Sequence, residues 1–303
     1  MYRVQEQLFT RPNLILGSSG GAIVGTLGQG ANWNAEKLYE LAGNFSSDKL
    51  IAKSLVPSFF NWLFAGSAVM ISSSLQDYCK SILQNKIDIE MIYGAHCRET
   101  GKHVLFSSAT KEGSIFQVNS ADWKGYEMIF LDNNIDKIAR SLMATTSLPN
   151  VFDPVCVKSK ETYIDGGISA PSPWSSLWES IITKPGKLKI IYFVSTNISG
   201  VSPYRSLDAF YRMVHNMCSR EYRDVLTAFR IRSLQKNIKY NEIHTKDLVE
   251  AVNKYKQMEE AVLICIPTHD PSRYNFDFTY FHGKELQSIM LKFNSVSYIV
   301  IGW

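Results

Sequence analysis

The sequence predicts an α/β protein: a three-layer fold in which helices cover both faces of a central, mostly parallel sheet. Two patterns and one bulk property carry this prediction. Short runs such as Leu14-Ile15-Leu16 and Val262 to Ile266 are apolar on successive residues, as in strands covered on both faces. Segments with helical spacing of apolar residues stand between such runs, and strand–helix alternation belongs to layered α/β folds. At 303 residues and 45% apolar content, the chain is long enough to bury a sizeable core.

In chain order, the apolar and β-branched runs place strands at Leu14-Ile15-Leu16, Ile89 to Ala95, His103 to Phe106, Leu188 to Val194 and Val262 to Ile266. Helical spacing marks Ala22 to Gln29, Ala35 to Gly43, Leu75 to Leu83, Ile135 to Thr145 and Trp174 to Ile182. A long helix or a helical hairpin is predicted from Leu207 to Lys239, and another helix from Lys246 to Gln257. No repeat or low-complexity linker interrupts the chain, so residues 1–303 are expected to form one domain.

Charge and cysteine usage exclude several classes. Thirty-two basic residues against 28 acidic ones give a net charge of +4, without a basic run of the kind nucleic-acid binders carry. Five scattered cysteines without CxxC spacing argue against a zinc site and for a reducing compartment. The first residues carry charges of both signs and no apolar core, so no secretory signal is expected there. The expectation is an intracellular protein, cytoplasmic or peripheral to a membrane. Residues 54–76 are uncharged and approach a bilayer span, but Pro57, Asn61, Gly66 and Ser72 to Ser74 interrupt them. A buried helix pair or a lipid-facing cap is expected there.

The segment Gly17-Ser18-Ser19-Gly20-Gly21 has the GxSxG form of a nucleophile elbow, in which a sharp strand-to-helix turn exposes the serine hydroxyl. The strand before it and the small-residue helix beginning at Ala22 supply the required context. A plain reading also exists: a tight βα turn, or a phosphate site at a helix N-terminus. The phosphate version lacks both the lysine of a P-loop and the spacing of a dinucleotide fingerprint. Only about a dozen residues precede the elbow, too few for the strands and oxyanion loop that come before it in an α/β-hydrolase. A Ser…Asp…His order can be written with Ser19, Asp165 and one of His215, His244, His269 or His282, none in a distinctive setting. Asp165-Gly166-Gly167 is in itself an ordinary turn sequence.

The surroundings of Asp165 carry more weight. Ala144-Thr145-Thr146-Ser147-Leu148-Pro149, then Phe152-Asp153-Pro154, then Tyr163-Ile164-Asp165-Gly166-Gly167-Ile168 resemble the second signature block of patatin-like phospholipases. The elbow followed by Ala22 is similar to that family's nucleophile block. The resemblance covers about residues 10–200, leaving a mainly helical part over about residues 204–303. It implies a three-layer patatin-like fold and a cofactor-free, metal-free lipid acyl hydrolase. It also implies a Ser19–Asp165 dyad, with Gly17, Gly20 and Gly21 shaping the elbow and Gly166 and Gly167 the carboxylate turn. An acyl-ester lipid is the implied substrate.

The chain departs from the family in one respect. Members usually carry a glycine-rich loop ahead of the elbow that supplies most of the oxyanion hole, whereas the first glycine here is Gly17. Only the Gly20 N–H is left as an evident donor. Two readings stay open: the loop is encoded upstream, or the chain is a homologue that binds lipid without turnover. Trp174 and Trp178 suit either a membrane interface or the core, the core being the default for aromatics. The basic stretch from Arg205 to Lys239 suits either docking on anionic lipid or a solvated face, the latter being the default.

Overall fold

The structure is a computed structural model that describes residues 12–44, 52–53, 70–71, 73–84, 87, 89–116, 126–149, 152–158, 160–170, 172–193, 208–238, 242–245, 248–265 and 298–302. Its strands are β1 (Leu14–Gly17), β2 (Ala52–Lys53), β3 (Met70–Ile71), β4 (Glu90–Cys97), β5 (His103–Ser107), β6 (Tyr126–Phe130), β7 (Val155–Cys156), β8 (Thr162–Asp165), β9 (Lys189–Phe193), β10 (Glu242–Thr245), β11 (Ala261–Cys265) and β12 (Tyr298–Gly302). Its helices are α1 (Gly20–Gly30), α2 (Ala35–Asn44), α3 (Ser73–Leu83), α4 (Ile135–Thr145), α5 (Trp174–Thr183), α6 (Asp208–Lys236) and α7 (Leu248–Gln257).

A ten-stranded sheet runs in the order β10-β11-β9-β12-β1-β4-β5-β6, with β8 beside β4 and β7 beside β8. Along that path β10, β11, β9, β1 and β4 point one way, while β12, β5 and β6 run against them. The expected α/β class with a mostly parallel sheet therefore holds, with antiparallel strands inserted. The uncharged stretch at residues 54–76 lies largely outside the described residues.

Side-chain alternation divides the core into two layers. Ile15, Met91, Tyr93 and Ala95 point to one face, where they meet Ala22 of α1, Leu75 and Cys79 of α3, and Ile138 and Leu142 of α4. Leu14, Leu16 and Ile92 point to the other, against Trp174, Leu177 and Ile181 of α5 and Val225 and Phe229 of α6. Each helix presents apolar residues at helical intervals, which is why its packed face is continuous. Asn134 starts α4: its side-chain oxygen accepts the Lys137 N–H at 3.0 Å, and Asp136 sits in the first turn. Trp174 is fully buried, so it belongs to the core.

The stretch from Arg205 to Lys239 includes one continuous helix, α6, and one of its arginines is not on the surface at all. Arg232 is 1% exposed and shares the inward face of α6 with Val225 and Phe229. Its guanidinium pairs with Glu260 through Nε at 3.1 Å and Nη2 at 2.7 Å. It also donates to the carbonyls of Ile182, Lys184 and Gly186, satisfying the open carbonyl end of α5. The planar fork makes this possible, because one group reaches five acceptors at once.

Removing Arg232 would leave the buried Glu260 carboxylate without its countercharge and take a donor from the carbonyls of Ile182, Lys184 and Gly186. Arg232→Met is expected to destabilise the fold by about 3–5 kcal/mol, with partial recovery when Glu260→Gln is added. Urea unfolding measures both; a loss below about 1 kcal/mol for Arg232→Met would contradict the anchoring role.

Candidate functional site

Strands β1 and β8 lie end to end along the same side of β4. Gly17 of β1 pairs with Tyr93, and Asp165 of β8 pairs with Ala95, leaving only Gly94 between the two registers. Strand β5 occupies the opposite side of β4 across both registers. The residue that leaves β1 and the last residue of β8 therefore converge at Gly94. Little room exists there: a methyl carbon on Gly166 would lie 2.0 Å from the Gly94 carbonyl oxygen, and one on Gly17 would lie 2.8 Å from the Ala22 nitrogen.

Ser19 forms the turn between β1 and α1 with φ 53° and ψ −131°, a conformation that a residue with a side chain rarely adopts. Such backbone strain costs on the order of 1–3 kcal/mol and persists only where the surroundings enforce it. The C-terminus of α4 provides the enforcement. The Ser19 N–H donates to both the carbonyl and the hydroxyl oxygen of Thr145, each at 3.1 Å. The Thr145 hydroxyl in turn donates to the Gly94 carbonyl. Two residues further on, the Ser147 carbonyl accepts the Asp165 N–H at 2.9 Å. One helix end thus holds both candidate residues.

The result is a direct contact: the Ser19 hydroxyl donates to Asp165 Oδ2 at 2.6 Å. The other carboxylate oxygen accepts the Gly167 N–H at 2.7 Å. Ser19 is half-buried, whereas Asp165 is 1% exposed. Burial raises the Asp165 pKa to about 6, against the lowering pull of the bonds from Ser19 and Gly167. At the start of α1, Gly21 donates to the Ser18 carbonyl at 2.9 Å and Ala22 to the Ser19 carbonyl at 3.1 Å. The Gly20 N–H has no acceptor among the described residues. A free N–H beside the serine, at the positive end of a helix, is suited to a developing oxyanion.

The structure thus brings together Ser19, Asp165, Gly17, Gly20, Gly21, Gly166 and Gly167. The side chains of His215, His244, His269 and His282 lie outside those described. Three contributors lacked an assigned role in the sequence reading: Thr145, Ser147 and Gly94. A signal for Gly94 existed, since a glycine inside a buried strand marks close approach of another backbone. A cavity of about 420 Å³ lined by Glu90, Ser108 and Asn133 lies towards the other end of β4. Among the described residues, no helix is long and apolar enough to cross a membrane, and no cluster of His, Cys, Asp and Glu could hold a metal ion.

Burial of Asp165 has a consequence for stability. Its folded pKa of about 6 exceeds the ordinary 3.8, so its ionisation opposes folding as pH rises between those values. Asp165→Asn, which does not ionise, is expected to raise Tm by a few degrees at pH 7.5, an advantage that disappears below about pH 4. Thermal scans across pH measure this; an Asn variant less stable than wild type at pH 7.5 would contradict it.

No curated protein matches the chain. A family model described as patatin-like phospholipase matches residues 2–178, more than half of the chain, and its span includes the elbow, the end of α4 and the Asp-Gly-Gly turn. With the three-layer fold and the convergence at Gly94, this makes the chain a member of the patatin-like phospholipase family, a family of lipid acyl hydrolases.

Proposed function

We propose that the protein hydrolyses acyl esters of lipids with Ser19 as nucleophile and Asp165 as its base, without a histidine. The observation that carries this reading is the 2.6 Å hydrogen bond from a strained, half-buried serine to a buried carboxylate. Ser19 Oγ attacks the ester carbonyl carbon while its proton passes to Asp165 Oδ2. The carbonyl oxygen gains negative charge in the tetrahedral intermediate, next to the Gly20 N–H and the N-terminus of α1. Collapse breaks the bond to the leaving alcohol, whose oxygen takes the proton from Asp165. A water molecule then attacks the acyl-serine, again giving its proton to Asp165, and the fatty acid departs as Ser19 recovers its hydrogen.

The raised pKa of Asp165 supports the role. A carboxylate at its ordinary value is a poor acceptor for a hydroxyl proton, and one near 6 is closer to a working base at neutral pH. The acceptor is already within direct transfer distance, so no intermediary group is required. The lipid class of the substrate comes from the family, and the elbow opens onto α1 with the partly buried Ile23 one turn after Ser19.

A serine-reactive fluorophosphonate probe and an acyl-ester assay test the reading. Wild type is expected to be labelled at Ser19 and to release fatty acid, and Ser19→Ala to do neither. Asp165→Asn is expected to lower ester turnover at least about a thousandfold. An unlabelled, inactive wild type would make the protein a lipid-binding member of the family. Full activity in Asp165→Asn would require a different base.

A further inference from the structure

Next to the dyad, on the opposite face of β4, two buried polar atoms point at the same spot without a partner. Ser18 is 3% exposed, and its hydroxyl has no hydrogen-bond partner among the described residues; the same holds for His103 Nε2, which is shielded from solvent. Both lie over Gly94. A methyl carbon on that glycine would sit 2.5 Å from Ser18 Oγ and 3.2 Å from His103 Nε2, so the two atoms are less than about 6 Å apart. One water molecule with two hydrogen bonds bridges atoms up to about that far apart, and buried waters serve otherwise unsatisfied polar groups.

The other ring nitrogen of His103 is engaged. Nδ1 lies 2.7 Å from Ser169 Oγ, and that hydroxyl donates to the Gly166 carbonyl at 3.1 Å. A hydroxyl has one proton, so both contacts are hydrogen bonds only if Nδ1 carries a hydrogen, which in the neutral ring leaves Nε2 a bare acceptor. Burial and the neighbouring His96, directly across from it on β4, push the His103 pKa down to about 4, which leaves the ring neutral. A bare acceptor and a hydroxyl donor then face each other across the space above Gly94.

We propose that His103 is a positioning residue that ties the two halves of the dyad together: its Nδ1–H holds the Asp165 turn through Ser169, and its Nε2 holds Ser18 through one buried water. The inference rests on the Ser19–Asp165 reading. Ser18 immediately precedes the nucleophile, and Gly166 immediately follows the base. A link between them limits how far Ser19 Oγ and Asp165 Oδ2 can drift apart, and direct proton transfer depends on that separation.

The test compares three substitutions. His103→Asn keeps a donor near the position of Nδ1, His103→Gln keeps a polar group near Nε2, and His103→Leu removes both. His103→Leu is expected to lower kcat and the rate of fluorophosphonate labelling at least about tenfold, with KM changed less than about threefold. His103→Asn and His103→Gln each keep one arm of the tie and are expected to label at least about threefold more slowly than wild type, yet faster than His103→Leu. The two single-arm variants decide the matter even if the leucine variant does not fold. Wild-type labelling in His103→Leu, or in either single-arm variant, would overturn the proposal. Nitrogen-15 NMR of the His103 ring provides a readout independent of activity. Nδ1 is expected to be protonated and Nε2 bare, with the Nε2 resonance shifting in Ser18→Ala. A protonated Nε2, or no shift, would overturn the link. If wild type carries no label at all, the hydrolase reading fails, and the NMR result alone decides whether the link exists.

Discussion

The site depends on two strands sharing one lane beside β4. β1 enters from one end and β8 from the other, and their hydrogen bonds to the same strand set the gap between them at a single residue, Gly94. Because sheet register is quantised, the separation of Ser19 and Asp165 is determined by backbone pairing more than by side-chain adjustment. The closeness of Gly166 to the Gly94 carbonyl shows how little slack is left. The end of α4 then closes the arrangement from above, through Thr145 on one side and Ser147 on the other. This gives a physical reason for the Ala144 to Pro149 segment to accompany the elbow and the Asp-Gly-Gly turn: it is the clamp between them.

Both parts of the proposed dyad are individually unfavourable. Ser19 holds a strained backbone, and Asp165 is a carboxylate almost removed from water. Their stability is supplied elsewhere, by a sheet covered on both faces and by buried polar links such as Arg232 to Glu260 and to the end of α5. A functional site that departs from local preferences while its scaffold conforms to them is the usual division of labour. Glu221 illustrates a structural counterpart: burial raises its pKa to about 7, yet it serves to fix Ser172 ahead of α5, accepting from its N–H at 3.0 Å and from its hydroxyl at 2.5 Å.

Much of this was legible in the sequence, for identifiable reasons. The strands β1, β4, β5, β9 and β11 and the seven described helices follow from local apolar pattern, and α4 begins and ends where its spacing places it. The elbow and the carboxylate turn were legible because each is a short motif with a fixed local geometry. What escaped depends on distant partners. β12 joins β1 to β9 as an antiparallel insertion, although more than 280 residues separate it from β1 in the chain. Arg232 reads as one more surface charge until Glu260 and the carbonyls after α5 are brought to it. His103 meets Ser169 across 66 positions, and nothing next to either residue announces the contact.

The central claim is that Asp165 itself sets the reactivity of Ser19, and the pH dependence of fluorophosphonate labelling tests it most directly. The labelling rate of wild type should rise with pH through an apparent pKa near 6, the raised value of the buried carboxylate, and then level off. Asp165→Asn should be slow and should lack that rise. A rise that persists in Asp165→Asn, or one centred at an ordinary carboxylate value near 4, would contradict the account.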